Sequence, residues 1–155
     1  MLKKIVLILF CTIIFVGCAS VPMESNEKSM MAKEFNSPEN DKSGLYIYRS
    51  GIFGGALKKD IWVDETCIGE SAPNVFFYTE VECNKEHKLS TESEFSPNDI
   101  TVKAECGENH FFSQYIKLGV FVGGANIKKV SEAKGKSEIQ KLDMATTGTC
   151  SSSYN

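Results

Sequence analysis

The residues of this chain that could carry out chemistry are two histidines and several cysteines. His87 and His110 each stand beside a turn, with Glu86 and Glu108 close by in sequence. Imidazole and carboxylate groups can share a metal ion, but histidines at strand edges commonly have no such role. Nucleophilic catalysis requires a Ser or Cys beside an oriented base, and the sequence shows no such pattern. We therefore predict no metal site, no cofactor and no enzyme activity.

The N-terminal cysteines belong to a different kind of segment. Cys11 lies in an apolar run, IVLILFCTIIFV (5–16), that follows the basic pair Lys3 and Lys4. A positive segment, an apolar run of about a dozen residues and a small residue before a cleavage point are typical of a secretory signal. The run is too short for the roughly 20 residues of a membrane-spanning helix unless residues 17–21 are counted with it. An uncleaved anchor is therefore the weaker alternative.

The end of this run, FVGC (15–18), resembles the lipobox of bacterial lipoproteins. The resemblance implies a diacylglycerol on the Cys18 sulfur and cleavage after Gly17, so that residues 1–17 are removed as the signal peptide. The alternative, an ordinary thiol at Cys18, explains neither the glycine nor the position after the apolar run. Two or more acyl chains give stable membrane anchoring. By the sorting rule of that family, Ala19 after the cysteine points to the outer membrane, and we expect the domain to face the periplasm.

Composition limits the partners of the mature chain. The sequence has 17 Lys and Arg against 20 Asp and Glu, and loss of Lys3 and Lys4 with the signal leaves 15 basic residues and a net charge of −5. Nucleic acid binding depends on Lys and Arg that neutralise phosphates, so we expect no nucleic acid partner. The expected partners are the membrane, through the lipid, and an envelope protein or a glycan.

The amino-acid composition of the chain changes at Gly44. Residues 18–43 are polar and charged, and we interpret them as the lipidated cysteine and a flexible linker with room for a short helix. A coil of this length spans about 25–30 Å, enough to hold a domain clear of the lipid headgroups. The domain is predicted over 44–144 and is followed by a low-complexity tail, ATTGTCSSSYN (145–155).

Short segments with alternating apolar residues predict β-strands. They are LYIYR (45–49), DIWVDETCIGE (60–70) with a turn at Asp64-Glu65, NVFFYTEVEC (74–83), HKLSTESE (87–94), DITVKAE (99–105) and HFFSQYIKLGVFV (110–122). The alternation is lost from residue 126, where Ser131 could cap a short helix. The glycine-rich SGIFGGALKK (50–59) is interpreted as a flexible hairpin connection, since it lacks the Gly-Lys-Ser/Thr of a phosphate-binding loop. The predicted fold is mainly β, a small antiparallel β-sandwich with a short C-terminal helix.

Three sequence segments, SGLYIYRS, IWVDETCIGE and AECGENHFF, and the order of the predicted elements resemble the DUF2846 family of small bacterial lipoproteins. The resemblance covers residues 43–143 and implies a small β-sandwich similar to the PEGA and transthyretin-like modules. It brings no established activity and no catalytic residues. Relatives tend to have Pro-Gly in the turn where this chain has Cys83-Asn84.

Four cysteines remain in the mature chain: Cys67, Cys83, Cys106 and Cys150. An even number of cysteines in an oxidising compartment favours disulfides, and without a C-x-x-C pair a zinc site has little support. Two antiparallel strands separate the turn that holds Cys83 from the turn that holds Cys106, so both turns lie at one end of the sandwich. We expect these two cysteines to pair, which leaves Cys67 and Cys150 to pair or remain free.

The aromatic residues are the candidate binding surface. Tyr46 and Tyr48 share one face of their strand, and Phe76 and Tyr78 share one face of theirs. If these four side chains lie exposed together, they form a platform able to stack on a sugar or contact a protein. The alternative is that both faces are buried, one in the core and one beneath the helix and loops. Trp62 is flanked by apolar residues and is predicted to be a core residue.

These observations together predict a lipid-anchored outer-membrane lipoprotein with a periplasm-facing, non-catalytic binding or interaction module of unknown ligand. Two other classes stay open. An envelope structural or inhibitor protein is one, and a purely structural role predicts no exposed aromatic patch. A small enzyme is the other, and it would require a cleft holding a base and a nucleophile.

Overall fold

The structure of the chain, a computed structural model, describes residues 19–154, so the predicted signal peptide and Cys18 lie outside it. The described residues are mainly β, as the sequence predicts. In chain order the elements are α1 (Asn26–Ala32), β1 (Lys42–Arg49), β2 (Lys59–Val63), β3 (Thr66–Ser71), β4 (Val75–Glu82), β5 (Glu86–Thr91), β6 (Asn98–Lys103), β7 (Asn109–Lys117), β8 (Gly124–Val130), α2 (Glu132–Ile139) and β9 (Asp143–Met144).

The strands form two sheets that pack face to face. One has five strands in the order β8-β7-β1-β4-β9, and the other has four in the order β3-β2-β5-β6. Most neighbours are antiparallel, but β1 pairs with β7, and β4 with β9, in parallel. Parallel pairs require a crossover connection, and here the chain passes through the second sheet between β1 and β7. The segment 50–59 was predicted as a hairpin connection; instead residues 50–58 join β1 of one sheet to β2 of the other, and Lys59 is the first residue of β2.

The core between the sheets follows from the period-two alternation of the strands. Leu45 and Ile47 of β1 face inward and meet Ile61 and Leu89 of the opposing sheet. All four side chains are completely buried. Each such burial contributes about 1.5–3 kcal/mol relative to exposure. This core holds the two sheets together.

A second apolar cluster covers the outer face of the five-stranded sheet. Its members are Tyr46, Tyr48, Phe76, Phe111, Ile139, Leu142 and Met144. Ile139 is the last residue of α2, and Ala32 at the end of α1 packs against the same cluster. The domain thus has three layers, with the two helices over one sheet. Ser131 is the N-cap of α2, as predicted, and accepts a hydrogen bond from the Lys134 amide at 3.4 Å.

Residues 19–41 pack against the domain and are not the flexible linker predicted from their composition. Ser25 caps α1, and the Phe35 ring lies 5.3 Å from Tyr46 between ring centroids. The Asn109 side-chain amide donates hydrogen bonds to the carbonyl oxygens of Phe35 and Asn36. A few well-placed contacts fix this segment although most of its side chains are polar.

The C-terminal residues 145–154 are likewise part of the domain and not a free tail. Cys150 forms a disulfide with Cys67 in β3. The buried Asp60 carboxylate accepts hydrogen bonds from the backbone amides and hydroxyls of Ser151 and Ser152 at 2.7–3.1 Å. This carboxylate is therefore satisfied by the tail itself.

Strand β8 was not predicted because two consecutive lysines, Lys128 and Lys129, interrupt its apolar alternation. Ala125 and Ile127 are buried, whereas Lys128 and Lys129 are exposed. Charged side chains, lysine above all, are typical of an edge strand, where they prevent pairing with another chain. The edge position of β8 explains the lost alternation.

Gly135 allows α2 to lie directly on β7, because a Cβ atom there would come within 2.4 Å of the Phe111 side chain. We predict that Gly135→Ala lowers the free energy of unfolding by about 1–3 kcal/mol through overpacking. The sign is informative, since alanine favours an unhindered helix by about 1 kcal/mol. Urea unfolding measures the change. Ser137→Ala, at an exposed position of the same helix, is the matched control and should be neutral or stabilising. A stabilised Gly135→Ala variant would contradict this packing.

The Cys67–Cys150 disulfide holds the tail over Trp62, the single tryptophan of the chain, whose ring centroid lies 5.6 Å from that of Tyr154. We predict that replacing Cys67 and Cys150 with serine shifts Trp62 emission to the red and increases its quenching by acrylamide. The control is the serine pair at Cys83 and Cys106. It removes a 23-residue loop constraint, worth about 3 kcal/mol in the chain-entropy model, and should leave native Trp62 emission unchanged. Unchanged quenching in the first variant would mean that noncovalent contacts alone hold the tail.

Candidate functional site

The four predicted platform residues share one face but are not an exposed platform. Tyr46 lies opposite Tyr78, and Tyr48 opposite Phe76, in the β1–β4 register. Tyr46 and Tyr48 are 2% exposed and Phe76 is fully buried, so only Tyr78 among the four is partly exposed. The alternative stated from the sequence, burial of both faces, is what the structure shows.

The rings are buried because segments from outside the predicted domain cover them. Tyr46 stacks on Phe111 at 5.1 Å between centroids, and Phe35 closes over both in edge contacts. The Tyr46 hydroxyl donates a hydrogen bond to the Ala32 carbonyl oxygen at 2.8 Å. The end of α1 is thereby fixed onto the sheet.

A groove remains open where α1 meets this aromatic surface, and we call it the α1 groove. It has a volume of about 300 Å³. Its apolar walls come from α1, from β1 and β4, and from the C-terminal strand. The lining residues are Met31, Ala32, Tyr46, Tyr78 and Met144, together with Lys28, Asn36, Ser37 and Glu80. This volume is at the lower end of the range for small-molecule sites.

The two tyrosines of the α1 groove are hydrogen-bonding groups and not bases. The Tyr78 hydroxyl donates to Glu80 Oε1 at 2.6 Å. Burial, followed by this interaction with Glu80, raises the pKa of Tyr78 well above its ordinary value, and burial raises the pKa of Tyr46 in the same direction. Both phenols therefore stay protonated. The groove therefore combines apolar walls with the polar hydroxyl groups of the two tyrosines.

His87 has an acidic partner but no free ring nitrogen. Its Nδ1 lies 2.6 Å from Asp64 Oδ2, and its Nε2 lies 2.7 Å from the Glu82 carbonyl oxygen. Burial opposes ionisation of Asp64, but hydrogen bonds from His87 and the Lys88 amide lower the pKa of its carboxyl. Because both ring nitrogens are engaged, His87 links the turn at Asp64 to Glu82 at the end of β4.

His110 lies beside Glu105 and Glu108, and one ligand atom of each residue falls within 4.8 Å of the others. The His110 Nε2 already contacts Glu105 Oε2 at 3.0 Å. Burial, assisted by the charge of Lys129, lowers the pKa of His110 although the two glutamates oppose the shift. The imidazole is 5% exposed. A hydrogen-bonded, buried histidine accounts for this arrangement.

The cysteines form two disulfides in the structure. Cys83 and Cys106 are joined with their Cα atoms 4.8 Å apart, which is the pair expected from the strand directions. Cys67 and Cys150, left open by the sequence, are joined with their Cα atoms 6.0 Å apart. Cys18 lies outside the described residues.

Sequence reasoning missed the side chains that complete the α1 groove. Met31 lies in the segment that composition predicts to be a linker, and Met144 is the last residue of the predicted domain. The pair Met30-Met31 in an otherwise polar stretch was the available signal. The side chains of Met30 and Met31 are mostly exposed, so an apolar periodicity could not have identified the groove.

The described residues thus define a small three-layer protein, a β-sandwich with two helices over one sheet. The chain belongs to the DUF2846 family, described as a protein of unknown function, whose family model matches residues 39–125. A protein of Haemophilus influenzae (strain ATCC 51907 / DSM 11121 / KW20 / Rd), described as uncharacterized, is 57% identical over 131 residues. The match covers 84% of this chain and 77% of that protein. Comparison with solved structures gave no match.

Proposed function

We propose that this protein is a lipid-anchored outer-membrane lipoprotein whose domain faces the periplasm and acts as a non-catalytic binding module. The α1 groove is the observation that carries the binding role, because it is an open apolar cleft with two tyrosine edges. The FVGC sequence at 15–18 supports the anchor. Neither helix within residues 19–154 is long and apolar enough to cross a bilayer.

The two histidines and the two groove tyrosines support a non-catalytic role. Both nitrogens of His87 are engaged, and Nε2 of the buried His110 contacts Glu105. The groove tyrosines are held protonated by burial. General base catalysis needs a group that has an accessible lone pair and a pKa near the operating pH. These four residues do not supply one.

The composition of the α1 groove suggests the kind of ligand. Met31 and Met144 offer flexible, polarisable walls that adapt to irregular apolar shapes. Tyr78 presents a ring edge with a polar tip, and Lys28 and Glu80 add one charge of each sign. An apolar or aromatic side chain of an envelope protein, or the face of a sugar, fits this combination.

The anchor is tested by replacing the proposed lipidation site. Cys18→Ala should lose the lipid and accumulate as the full-length precursor, because the thioether can no longer form. Cys11→Ala, within the same apolar run, is the matched control and should be processed normally. Intact-mass analysis of the membrane fraction measures both results. An unmodified Cys18 in the wild-type protein would contradict the proposal.

The binding role is tested with a photocrosslinking amino acid at Met31, which lines the α1 groove, and at its neighbour Met30, which does not. The two side chains are 62% and 69% exposed, so their general accessibility is matched. Adducts with an envelope protein or glycan should form from position 31 and not from position 30. Tyr78→Ala should lower the adduct yield at position 31 about fivefold or more, as expected for loss of a hot-spot contact. Equal adducts from both positions, or none, would favour a purely structural role.

A further inference from the structure

The exposed apolar side chains of this domain are concentrated at one end. Of the eleven exposed large hydrophobic residues in the described part of the chain, seven lie in three loops. They are Ile52 and Phe53 between β1 and β2, Phe95 between β5 and β6, and Leu118, Val120, Phe121 and Val122 between β7 and β8. We call these seven residues the apolar end. Exposed apolar patches of this kind mark interaction or membrane surfaces.

The strand directions bring these three loops together. Because β1 and β7 are parallel neighbours, the loops that follow them leave the sheet at the same end. In the other sheet, β5 runs antiparallel to β2, so the end of β5 lies beside the start of β2. Side-chain contacts agree, since a Cβ atom on Gly54 would lie 2.7 Å from Ile116 and one on Gly123 would lie 2.6 Å from Leu57.

The loop between β7 and β8 is built with its polar groups turned inward. The Glu94 carboxylate accepts hydrogen bonds from the backbone amides of Val120, Phe121 and Val122. Burial opposes ionisation of Glu94, but the hydrogen bonds from these backbone amides lower the pKa of its carboxyl. With three amides satisfied internally, the loop directs apolar side chains outward. Internal satisfaction of backbone groups is what a low-polarity environment requires.

The loop between β1 and β2 has the same construction and also contacts the N-terminus of the described chain. The Arg49 guanidinium donates hydrogen bonds to the carbonyl oxygens of Gly54 and Leu57, each at 2.7 Å. The Ala19 amide donates to the Gly55 carbonyl oxygen at 2.9 Å. Consecutive Cα atoms are about 3.8 Å apart, so a lipid on Cys18 would begin one residue from this loop.

We propose that the apolar end inserts into the interface of the bilayer that holds the Cys18 lipid, so that the domain is docked on the membrane by its own loops. The inference rests on the proposed lipid anchor, because that anchor places the bilayer beside Ala19. A tethered surface meets its target at high effective concentration.

The bilayer is favoured over a protein partner by this position. The mature chain carries a net charge of −5, so attraction to anionic lipids does not bring it to the surface. Apolar insertion does not depend on such attraction, so it should persist in zwitterionic vesicles and at high salt.

The test uses the mature lipidated protein in vesicles of phosphatidylcholine with brominated acyl chains, which quench tryptophan on contact. Phe121→Trp places a reporter in the apolar end, and Met30→Trp places one at an exposed site on α1. The buried Trp62 is the same background in both. The reporter at position 121 should shift to the blue and lose most of its emission, whereas the reporter at position 30 should change little.

A second variant checks that insertion depends on apolar side chains. Adding Phe53→Asp and Leu118→Asp to the position 121 reporter should abolish quenching, because charges are costly in hydrocarbon. Both residues are exposed, so unfolding midpoints should be unchanged. Absence of quenching at position 121, or equal quenching at position 30, would overturn the proposal. A blue shift without lipid quenching would assign the apolar end to contact with a second copy, and would also overturn the proposal.

The mass of the same sample separates this inference from the proposed anchor. If Cys18 carries no lipid, the anchor fails, and the unlipidated protein is then mixed with the same vesicles. Quenching at position 121 in that mixture would support insertion without the anchor. Its absence there would overturn the inference as well.

Discussion

The guanidinium of Arg49 is buried where the two sheets meet, and the construction of one end of the molecule depends on it. The side chain is 2% exposed, and it donates to the carbonyl oxygens of Gly54, Leu57 and, at 3.5 Å, Ser71. A buried charge is costly unless it is hydrogen-bonded, and burial lowers the pKa of Arg49. The loop between β1 and β2 must therefore turn its carbonyls inward, which leaves Ile52 and Phe53 facing solvent. Gly54, with a φ of +67°, permits this course.

The segments before β1 and after β9 are each held to the domain by a small number of contacts, apolar and polar before β1 and mainly covalent and polar after β9. Residues 19–41 are fixed by the Phe35 ring, the Asn109 amide and the hydrogen bond from the Tyr46 hydroxyl to the Ala32 carbonyl oxygen. Residues 145–154 are fixed by one disulfide and by the hydrogen bonds to Asp60. Such contacts need few apolar residues. A polar or low-complexity composition therefore does not imply that a segment is free of the domain.

The sequence predicts the parts of the fold that depend on short-range periodicity. The two faces of β1, β4 and β7 and the cap of α2 follow from local spacing. The Cys83–Cys106 pair follows from strand directions. Which face is exposed does not follow, because Phe35 and α1 cover it from a segment outside the alternating region. The α1 groove could not be predicted for the same reason, since Met31 comes from that segment.

The two ends of the sandwich differ in a way that separates the apolar end from the α1 groove. The end with the Cys83–Cys106 disulfide and both histidines is polar and cross-linked, whereas the other end exposes apolar loops. Strand β4 begins at the apolar end and reaches the α1 groove at Tyr78 and Glu80. At about 3.3 Å per residue, this places the groove roughly 10–17 Å from the start of the strand. A domain seated on a membrane by its apolar end would keep the groove clear of the bilayer, so that membrane contact and ligand binding do not compete.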